Sequence, residues 1–316
     1  MSRLVIASQL NATFNTAFAE RLPDVEFVNV PAGSTADLPR DARVLIAAPF
    51  RKAGGSLPAG PPPGWPFAVK WVQLVSVGID FYPDWLFQGP VVTSARGASA
   101  TALAEFALAA IFAEAKRIPE IWIDRFERWT PVPINLVAGT TLGVVGYGSI
   151  GQALAPRARA LGLNVLAIRR SRAPIADEGV EQVHDLPELF GRSDHVVLAA
   201  PSTPETRHLI SAEVLAHAKP GLHLINVARG AIIDDDALLA ALDDGRVALA
   251  SLDVTHPEPL PFNHAYYRHP KVRLSPHTSV HTPDTRRNLA AQFALNLVRF
   301  REGAPLEDVV DTARGY

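Results

Sequence analysis

The sequence lacks several features, and each absence excludes a class of protein. Its 316 residues include no cysteine, which excludes disulfides, thiolate metal sites, iron–sulfur clusters and cysteine nucleophiles. Neither sign of charge is in excess, because 30 basic residues balance 32 acidic ones, and this argues against nucleic acid or an anionic membrane as a partner. No apolar run reaches the roughly 18 residues of a membrane span, and the N-terminal apolar run is too short for a signal peptide. We therefore expect a cytoplasmic protein.

The apolar residues that are present predict an α/β fold. They make up 48% of the sequence, enough for buried cores, and the length suggests about two domains rather than one. We predict strands at residues 4–7, 25–30, 44–47, 69–74, 142–145, 165–168, 195–198, 223–226 and 247–252. Helical periodicity is evident at residues 101–117 and 284–301. Because helical stretches separate apolar strands, we expect parallel, doubly wound sheets.

A glycine-rich turn follows the predicted strand TLGVV. Gly146, Gly148 and Gly151 in GYGSIG have the spacing of a dinucleotide-binding loop, and a helical stretch comes next. The first glycine permits a tight turn, the second lets a pyrophosphate approach bare backbone, and the third lets helix and strand pack closely. The pyrophosphate then lies at the positive end of the helix. The alternative is a glycine-rich turn in an ordinary βα unit, but the flanking strands favour a nucleotide site.

The residues after the next predicted strand indicate which dinucleotide binds. An acidic side chain there would accept hydrogen bonds from the ribose 2′-hydroxyl of NAD. Here Arg169 occupies that place and is followed by Arg170, Ser171 and Arg172, whose donors suit a dianionic phosphate. We predict NADP(H) as the preferred cofactor, with NAD(H) possible; a solvated basic turn is the alternative.

Three polar residues follow the later β-prone stretches: Arg229 in NVARGAIIDDDAL, Glu258 in LDVTHPEPLP and His277 in LSPHTS. Loops beyond the carboxyl ends of strands line the ligand crevice of a doubly wound sheet, so we expect these residues to converge there. Carbonyl reduction by hydride needs a cation at the oxygen and an acid that protonates it. Arg229 supplies the first and His277 the second, while Glu258 orients the imidazole and keeps its proton available.

These segments resemble the D-isomer-specific 2-hydroxyacid dehydrogenases, a family that includes glyoxylate/hydroxypyruvate reductases and phosphoglycerate dehydrogenases. The resemblance runs in family order through SVGID, RGASATALAEFALA, TTLGVVGYGSIGQALA, APSTPETRHLI, NVARGAIIDDDAL, LDVTHPEPLP and SPHTS. It implies that Arg229 binds the substrate, that Glu258 supports His277, and that His277 donates and accepts the proton. It also implies that the backbone N–H groups of Val77 and Gly78 hold the substrate carboxylate.

For the cofactor, the resemblance implies that Asp253 contacts the nicotinamide carboxamide. The remaining cofactor contacts are assigned to Ser149, Ile150, Pro201, Thr206 and Ala228. The implied fold has two doubly wound parallel-sheet α/β domains. A Rossmann-type cofactor domain, residues 98–282, is inserted into a flavodoxin-like substrate domain, residues 1–97 with 283–316. Family members are usually homodimers through the cofactor domain.

We therefore predict an NADPH-preferring 2-oxoacid reductase that runs in reverse as a D-2-hydroxyacid dehydrogenase. Glyoxylate and hydroxypyruvate are the expected substrates, by family analogy. Selectivity is expected to depend on the pocket around Phe50, Arg51, Val77 and Arg96. The alternative is an NAD(P)H-sensing regulatory protein of the same fold, as in corepressors that resemble this family. The complete set of Arg229, Glu258 and His277 favours the enzyme.

Other histidines and the tryptophans receive structural interpretations. Expected structural histidines are His256, His264, His269 and His281, and we predict no metal site. Expected core or dimer-contact residues are Trp65, Trp71, Trp85, Trp122 and Trp129. Residues 123–136 end in a proline-rich stretch that cannot extend a helix, and they are candidates for an arm packed on a second subunit.

Overall fold

The computed structural model describes residues 4–32, 37–50, 57–58, 60–118, 120–171 and 173–316. Arg51 and Arg172, both named above, lie outside these residues. The chain divides into two compact units. The first comprises Met1–Ser99 and Thr282–Tyr316, and the second comprises Ala100–His281.

In the first unit, the described strands form a five-stranded parallel sheet. They are β1 (Val5–Ser8), β2 (Glu26–Asn29), β3 (Val44–Ala47), β4 (Trp71–Leu74) and β5 (Val91–Thr93). Their order is β2-β1-β3-β4-β5, and every pair is parallel. This is the flavodoxin-like order, which changes direction between β1 and β3.

In the second unit, the described strands form a seven-stranded parallel sheet. They are β6 (Thr141–Val145), β7 (Asn164–Ile168), β8 (Val180–Gln182), β9 (His195–Leu198), β10 (Leu222–Asn226), β11 (Val247–Leu252) and β12 (Val272–Leu274). Their order is β12-β11-β10-β9-β6-β7-β8. This Rossmann-type order reverses between β6 and β9. The predicted fold class, two doubly wound parallel-sheet α/β units, is confirmed.

Helices cover both sheets, as parallel strands require. They are α1 (Ala12–Arg21), α2 (Ala100–Ala115), α3 (Ser149–Ala160), α4 (Leu186–Arg192), α5 (Ala212–Ala216), α6 (Asp235–Asp243) and α7 (Pro283–Glu302). The last of these begins at a Thr282 cap with proline in its first turn and ends at Gly303, whose φ is +69°. Along the part of the chain that is described, no helix is both long and apolar enough to cross a bilayer.

The final helix belongs to the first unit because its apolar face completes that unit's core. Phe293 is fully buried and stacks on Trp71 of β4 with ring centroids 4.8 Å apart. The chain beyond this helix then returns to the edge strand β5, where the Val310 N–H donates to the carbonyl of Val92 at 2.8 Å.

Three short strands do not appear in the sequence prediction. They are β5, β8 and β12, and each has three residues. Each lies at an edge of its sheet and keeps a side chain exposed, so its sequence shows neither a long apolar run nor a clear alternation. The longer predicted strands are confirmed to within one or two residues at either end.

Two histidines are buried near the amino ends of neighbouring central strands. His195 on β9 and His223 on β10 are 7% and 2% exposed, and their rings meet edge to face with centroids 5.6 Å apart. His223 Nε2 lies 2.9 Å from the hydroxyl of Ser251 on β11. Burial lowers the pKa of His195 below its ordinary value and lowers that of His223 to about 3. Both imidazoles are therefore neutral in the folded protein at physiological pH.

We expect acid to destabilise this unit before its carboxylates titrate. The unfolded chain gains a proton at His223 near the ordinary pKa of 6.5, whereas the folded chain gains it only near 3, so stability falls as pH drops below about 6.5. In His223→Gln, an amide replaces the titrating ring, and the melting temperature measured by circular dichroism between about pH 7.5 and 5 should fall less than in the wild type. The control is His281→Gln at an exposed histidine, which should behave as the wild type. Identical pH dependence in all three proteins would contradict the prediction.

Candidate active site

The glycine loop connects β6 to α3 where the strand order reverses. Gly146 has a φ of +99°, and a Cβ atom there would lie 2.6 Å from the backbone nitrogen of Ala200. The Gly146 N–H donates to the carbonyl of Ile168 at the end of β7. The turn therefore passes so close to the ends of both neighbouring strands that only glycine fits.

Beyond that turn, the amino end of α3 fits a pyrophosphate. Gly148 caps the helix without offering a side chain, and a Cβ atom there would meet nothing within 4 Å. Gly151 is instead packed, since a Cβ atom would lie 3.0 Å from the ring of Tyr147. The first-turn N–H groups, including those of Ser149 and Ile150, are donors at the positive end of the helix dipole, which suits an anionic phosphate.

Arginines follow β7 at the predicted ribose position. Arg169 is half-buried, whereas Arg170 and Ser171 are exposed. In the loop after β9, a hydrogen bond from Thr203 lowers the pKa of Glu205, and the positive charge of Arg170 lowers this pKa further. Arg170 therefore lies near that loop. Cationic donors thus occupy the place where an acidic residue would accept hydrogen bonds from a ribose 2′-hydroxyl.

The loop after β9 and the loop after β10 are each held by a polar side chain. The Thr206 hydroxyl donates to the carbonyl of Pro201 at 2.7 Å and accepts from the N–H of Thr203 at 2.8 Å. In the second loop, the N–H of Ala228 donates to Asn226 Oδ1 at 3.0 Å. These hydrogen bonds fix the loops that contain Pro201, Thr206 and Ala228. Both loops lie at the carboxyl ends of the strands, as does the glycine loop.

Arg229 follows Ala228 in a loop that packs against the chain after β11. Asn226 Nδ2 donates to the carbonyl of Arg229 at 2.8 Å, and Arg229 Nη1 donates to the carbonyl of Ala228 at 2.8 Å. At Gly230, a Cβ atom would lie 2.0 Å from the carbonyl carbon of Thr255. The absence of a side chain at Gly230 is therefore what lets the Arg229 loop touch the loop that leads to Glu258.

Glu258 and His277 form the pair that the sequence predicts. His277 Nδ1 lies 2.9 Å from Glu258 Oε2, and the other carboxylate oxygen accepts from the N–H of Thr255 at 3.1 Å. The two side chains are 19% and 23% exposed. With Nδ1 bonded to the carboxylate, the ring directs Nε2 away from Glu258.

Asp253 anchors the loop that carries His277. Its side chain is 1% exposed and accepts hydrogen bonds from the Ser275 hydroxyl at 2.6 Å and from the N–H groups of Thr278 and Ser279 at 2.9 and 3.1 Å, as well as from the Ser279 hydroxyl. Burial by itself would raise the pKa of Asp253, but these hydrogen bonds outweigh it and hold the pKa below the usual range. The predicted nicotinamide contact of Asp253 remains a proposal.

The first unit carries the predicted carboxylate-binding residues in the turn after β4. The carbonyl of Ser76 accepts from the N–H of Ala95 at 3.1 Å. Among the described residues, neither the Val77 N–H nor the Gly78 N–H donates a hydrogen bond within the chain. Both groups are therefore available to a ligand.

Sequence reasoning missed the residues that hold these loops. They are Asn226, Gly230, Ser275 and Ser279. A signal existed for Asn226, because it is a polar residue that ends an otherwise apolar strand, and for Gly230, because it follows Arg229 directly. The two serines flank His277 but resemble ordinary loop residues.

The remaining histidines and tryptophans differ in environment. His264 and His269 lie 3.8 and 3.3 Å from the carboxylates of Asp235 and Asp243, and His281 is exposed. No cluster within the described residues has the composition and spacing to hold a metal ion. Trp71 and Trp85 are core residues and Trp65 is half-buried, whereas Trp122 and Trp129 are 64% and 76% exposed.

Comparison with known sequences identifies the second unit. The profile described as "D-isomer specific 2-hydroxyacid dehydrogenase, NAD binding domain" matches residues 108–279. A glyoxylate reductase of Thermococcus gammatolerans is 37% identical over 227 residues, which cover 68% of this chain and 68% of that protein. A glyoxylate/hydroxypyruvate reductase A of Serratia proteamaculans is 33% identical over 261 residues, which cover 78% of this chain and 82% of that protein.

Solved structures agree over nearly the whole chain. A D-isomer specific 2-hydroxyacid dehydrogenase of Xanthobacter autotrophicus Py2, in complex with NADPH and MES, aligns over 100% of both chains with a TM-score of 0.79 and 30% identity. A protein of the same family from Aeromonas salmonicida aligns over 98% of this chain and 99% of its own, with a TM-score of 0.82 and 29% identity. The resemblance inferred from the motifs is confirmed: this chain belongs to the D-isomer-specific 2-hydroxyacid dehydrogenase family and is a nicotinamide-dependent oxidoreductase.

Proposed function

We propose that this enzyme is an NADPH-preferring reductase of small 2-oxoacids, which acts in reverse as a D-2-hydroxyacid dehydrogenase. The observation that carries the proposal is the 2.9 Å hydrogen bond between His277 Nδ1 and Glu258 Oε2. The two residues come from loops that follow the adjacent strands β11 and β12. An imidazole oriented by a carboxylate is a suitable proton donor to a carbonyl oxygen.

Each residue of the proposed catalytic set has a distinct task. The nicotinamide, when bound, supplies the hydride that reduces the substrate carbonyl carbon. Arg229 stabilises the negative charge that develops on the carbonyl oxygen, because its guanidinium can direct charge-assisted hydrogen bonds to that oxygen. His277 gives its Nε2 proton to that oxygen, and it takes the proton back in the reverse reaction. Glu258 holds the ring at Nδ1 and so orients Nε2.

The first unit is assigned as the substrate-binding domain and the second as the dinucleotide-binding domain. In the first unit, the N–H groups of Val77 and Gly78 are assigned to the substrate carboxylate. Within the described part of the chain, no backbone bond uses either N–H group, which supports this assignment. The names of the relatives support glyoxylate and hydroxypyruvate as substrates.

The preference for NADPH rests on the turn after β7. Arg169, Arg170 and Ser171 offer donors where an acidic side chain would repel a 2′-phosphate. The Xanthobacter autotrophicus Py2 structure, 30% identical to this chain, contains NADPH, which supports the same choice here.

A second copy of this chain is the proposed partner. Five large apolar side chains between residues 120 and 136 are more than half exposed: Trp122, Phe126, Trp129, Ile134 and Leu136. Charged residues lie between these side chains, but so many large exposed apolar groups within one segment favour an interaction surface. We assign the candidate arm, residues 123–136, together with Trp122 to a homodimer contact. The regulatory alternative is not favoured, because the relatives named above are reductases.

We expect the wild-type enzyme to oxidise NADPH, followed as loss of absorbance at about 340 nm, when glyoxylate or hydroxypyruvate is supplied. In His277→Ala, turnover should fall by about 10²- to 10⁴-fold because the proton donor is lost. The affinity for NADPH, measured by fluorescence titration, should stay within about twofold. His281→Ala serves as the control at a neighbouring exposed histidine and should retain turnover. A wild type that binds NADPH tightly but reduces no 2-oxoacid of a broad panel would favour the regulatory alternative.

Arg169→Asp should reverse the cofactor preference. Loss of a charge-assisted hydrogen bond and the added negative charge should raise the Kd for NADPH by about 10- to 100-fold, while the Kd for NADH changes far less. Arg273→Asp, at an exposed arginine on the opposite edge strand β12, provides a charge-matched control that should leave both values unchanged. Equal weakening of both cofactors by Arg169→Asp would refute the assignment.

Light scattering after size exclusion should give twice the mass of one chain. The double variant Phe126→Asp/Trp129→Asp should run at the mass of a monomer, since two charges would then have to be buried in the contact. Leu295→Asp, at a residue of α7 that is 62% exposed, should remain dimeric. A double variant that keeps the mass of the wild type would exclude this segment as the interface.

A further inference from the structure

The turn after β4 is held by two hydroxyl groups as well as by its backbone. The Ser76 hydroxyl donates to the carbonyl of Gly78 at 2.8 Å. The same oxygen lies 3.2 Å from the hydroxyl of Tyr82, a residue that is 2% exposed. The Tyr82 hydroxyl in turn donates to the carbonyl of Ala47 at 3.3 Å. These contacts link the turn after β4 to the end of the neighbouring strand β3.

These bonds determine where the N–H groups of the turn point. A peptide unit is planar, so its N–H and C=O groups point in opposite directions. The Ser76 carbonyl is engaged by the Ala95 N–H, which directs the Val77 N–H to the opposite side. The bond from the Ser76 hydroxyl to the Gly78 carbonyl closes a ring through Val77 and Gly78, which restricts rotation of the peptide between them, and this peptide carries the Gly78 N–H.

The surroundings of Tyr82 make this support rigid. Its ring packs edge to face on Phe50, with centroids 6.3 Å apart, and Phe50 packs in the same way on Trp85 at 5.9 Å. The Ala47 carbonyl also accepts from the N–H of Val75 at 3.3 Å. The end of β3 therefore receives both the backbone that enters the turn and the hydroxyl that contacts Ser76.

We infer that Ser76 and Tyr82 are positioning residues for substrate binding: their hydroxyls hold the turn so that the Gly78 N–H, beside the Val77 N–H that the Ala95 contact directs, faces the carboxylate of a 2-oxoacid. The inference rests on the proposed function, which assigns those N–H groups to the carboxylate. Because the carboxylate does not change charge during reduction, its contacts are equally strong in the bound substrate and in the transition state. Such uniform binding affects KM and leaves kcat nearly constant.

The test compares steady-state kinetics with glyoxylate and NADPH in four variants. Ser76→Ala should raise the KM for glyoxylate about tenfold, the effect expected for one hydrogen bond, with kcat and the KM for NADPH within about twofold. Ser76→Thr keeps the hydroxyl and should restore the wild-type KM. Tyr82→Phe should raise the same KM about threefold. Ser8→Ala removes another buried hydroxyl of this sheet, bonded to Asn15 at 2.6 Å, and should leave KM unchanged.

Binding of oxamate, an unreactive isostere of a 2-oxoacid, gives an independent measurement on the enzyme saturated with NADPH. Its Kd should rise by the same factor as the KM in Ser76→Ala. An active wild type with an unchanged KM and Kd in Ser76→Ala would overturn the inference and leave the proposed function intact. Should Ser76→Ala fail to fold, Tyr82→Phe decides, and an unchanged KM there overturns the inference as well. A wild type that reduces no 2-oxoacid would instead defeat the proposed function itself.

Discussion

The second unit depends on one constraint: the strands of its sheet all run in the same direction. The chain returns from each parallel strand to the start of the next through a connection over a face of the sheet. Every loop that follows a strand therefore lies at the same end of the sheet, where the strands have their carboxyl ends. For this reason, the same end of the sheet carries the glycine loop, the arginines after β7, Arg229, Glu258 and His277. Two features then fix the loops relative to one another. Gly230 lies close to Thr255, and the buried carboxylate of Asp253 accepts a hydrogen bond from the Thr278 N–H in the loop that carries His277.

The sequence predicts those strands in which a local run of apolar residues is enough to decide the structure. The strands β3, β9 and β11 begin and end at the residues that their apolar runs predict, because each is buried along most of its length. The edge strands β5, β8 and β12 depend on pairing with one neighbour, and three residues carry too little pattern to indicate it. Tertiary pairing, which no local window contains, is what makes them strands.

The same division applies to the site. Arg229, Glu258 and His277 are predictable because they lie in loops that follow β-prone stretches and because together they have the residue types that carbonyl reduction needs. The hydrogen bonds that orient them are not predictable, because Asn226, Ser275 and Ser279 are residue types with many ordinary uses in loops. Asp253 and Ser275 are 22 positions apart in the sequence, and nothing in that spacing indicates that their side chains meet. Only the folded sheet brings them together.

The strand order also separates two properties of the enzyme. The arginines proposed to bind the nucleotide ribose follow β7, on one side of β6, whereas the proposed acid–base pair and Arg229 follow β10, β11 and β12 on the other side. On the proposed assignment, substitutions that alter coenzyme preference and substitutions that alter proton transfer fall in different loops with separate supports. A lineage with this architecture can exchange one electron donor for another without rebuilding its reaction centre.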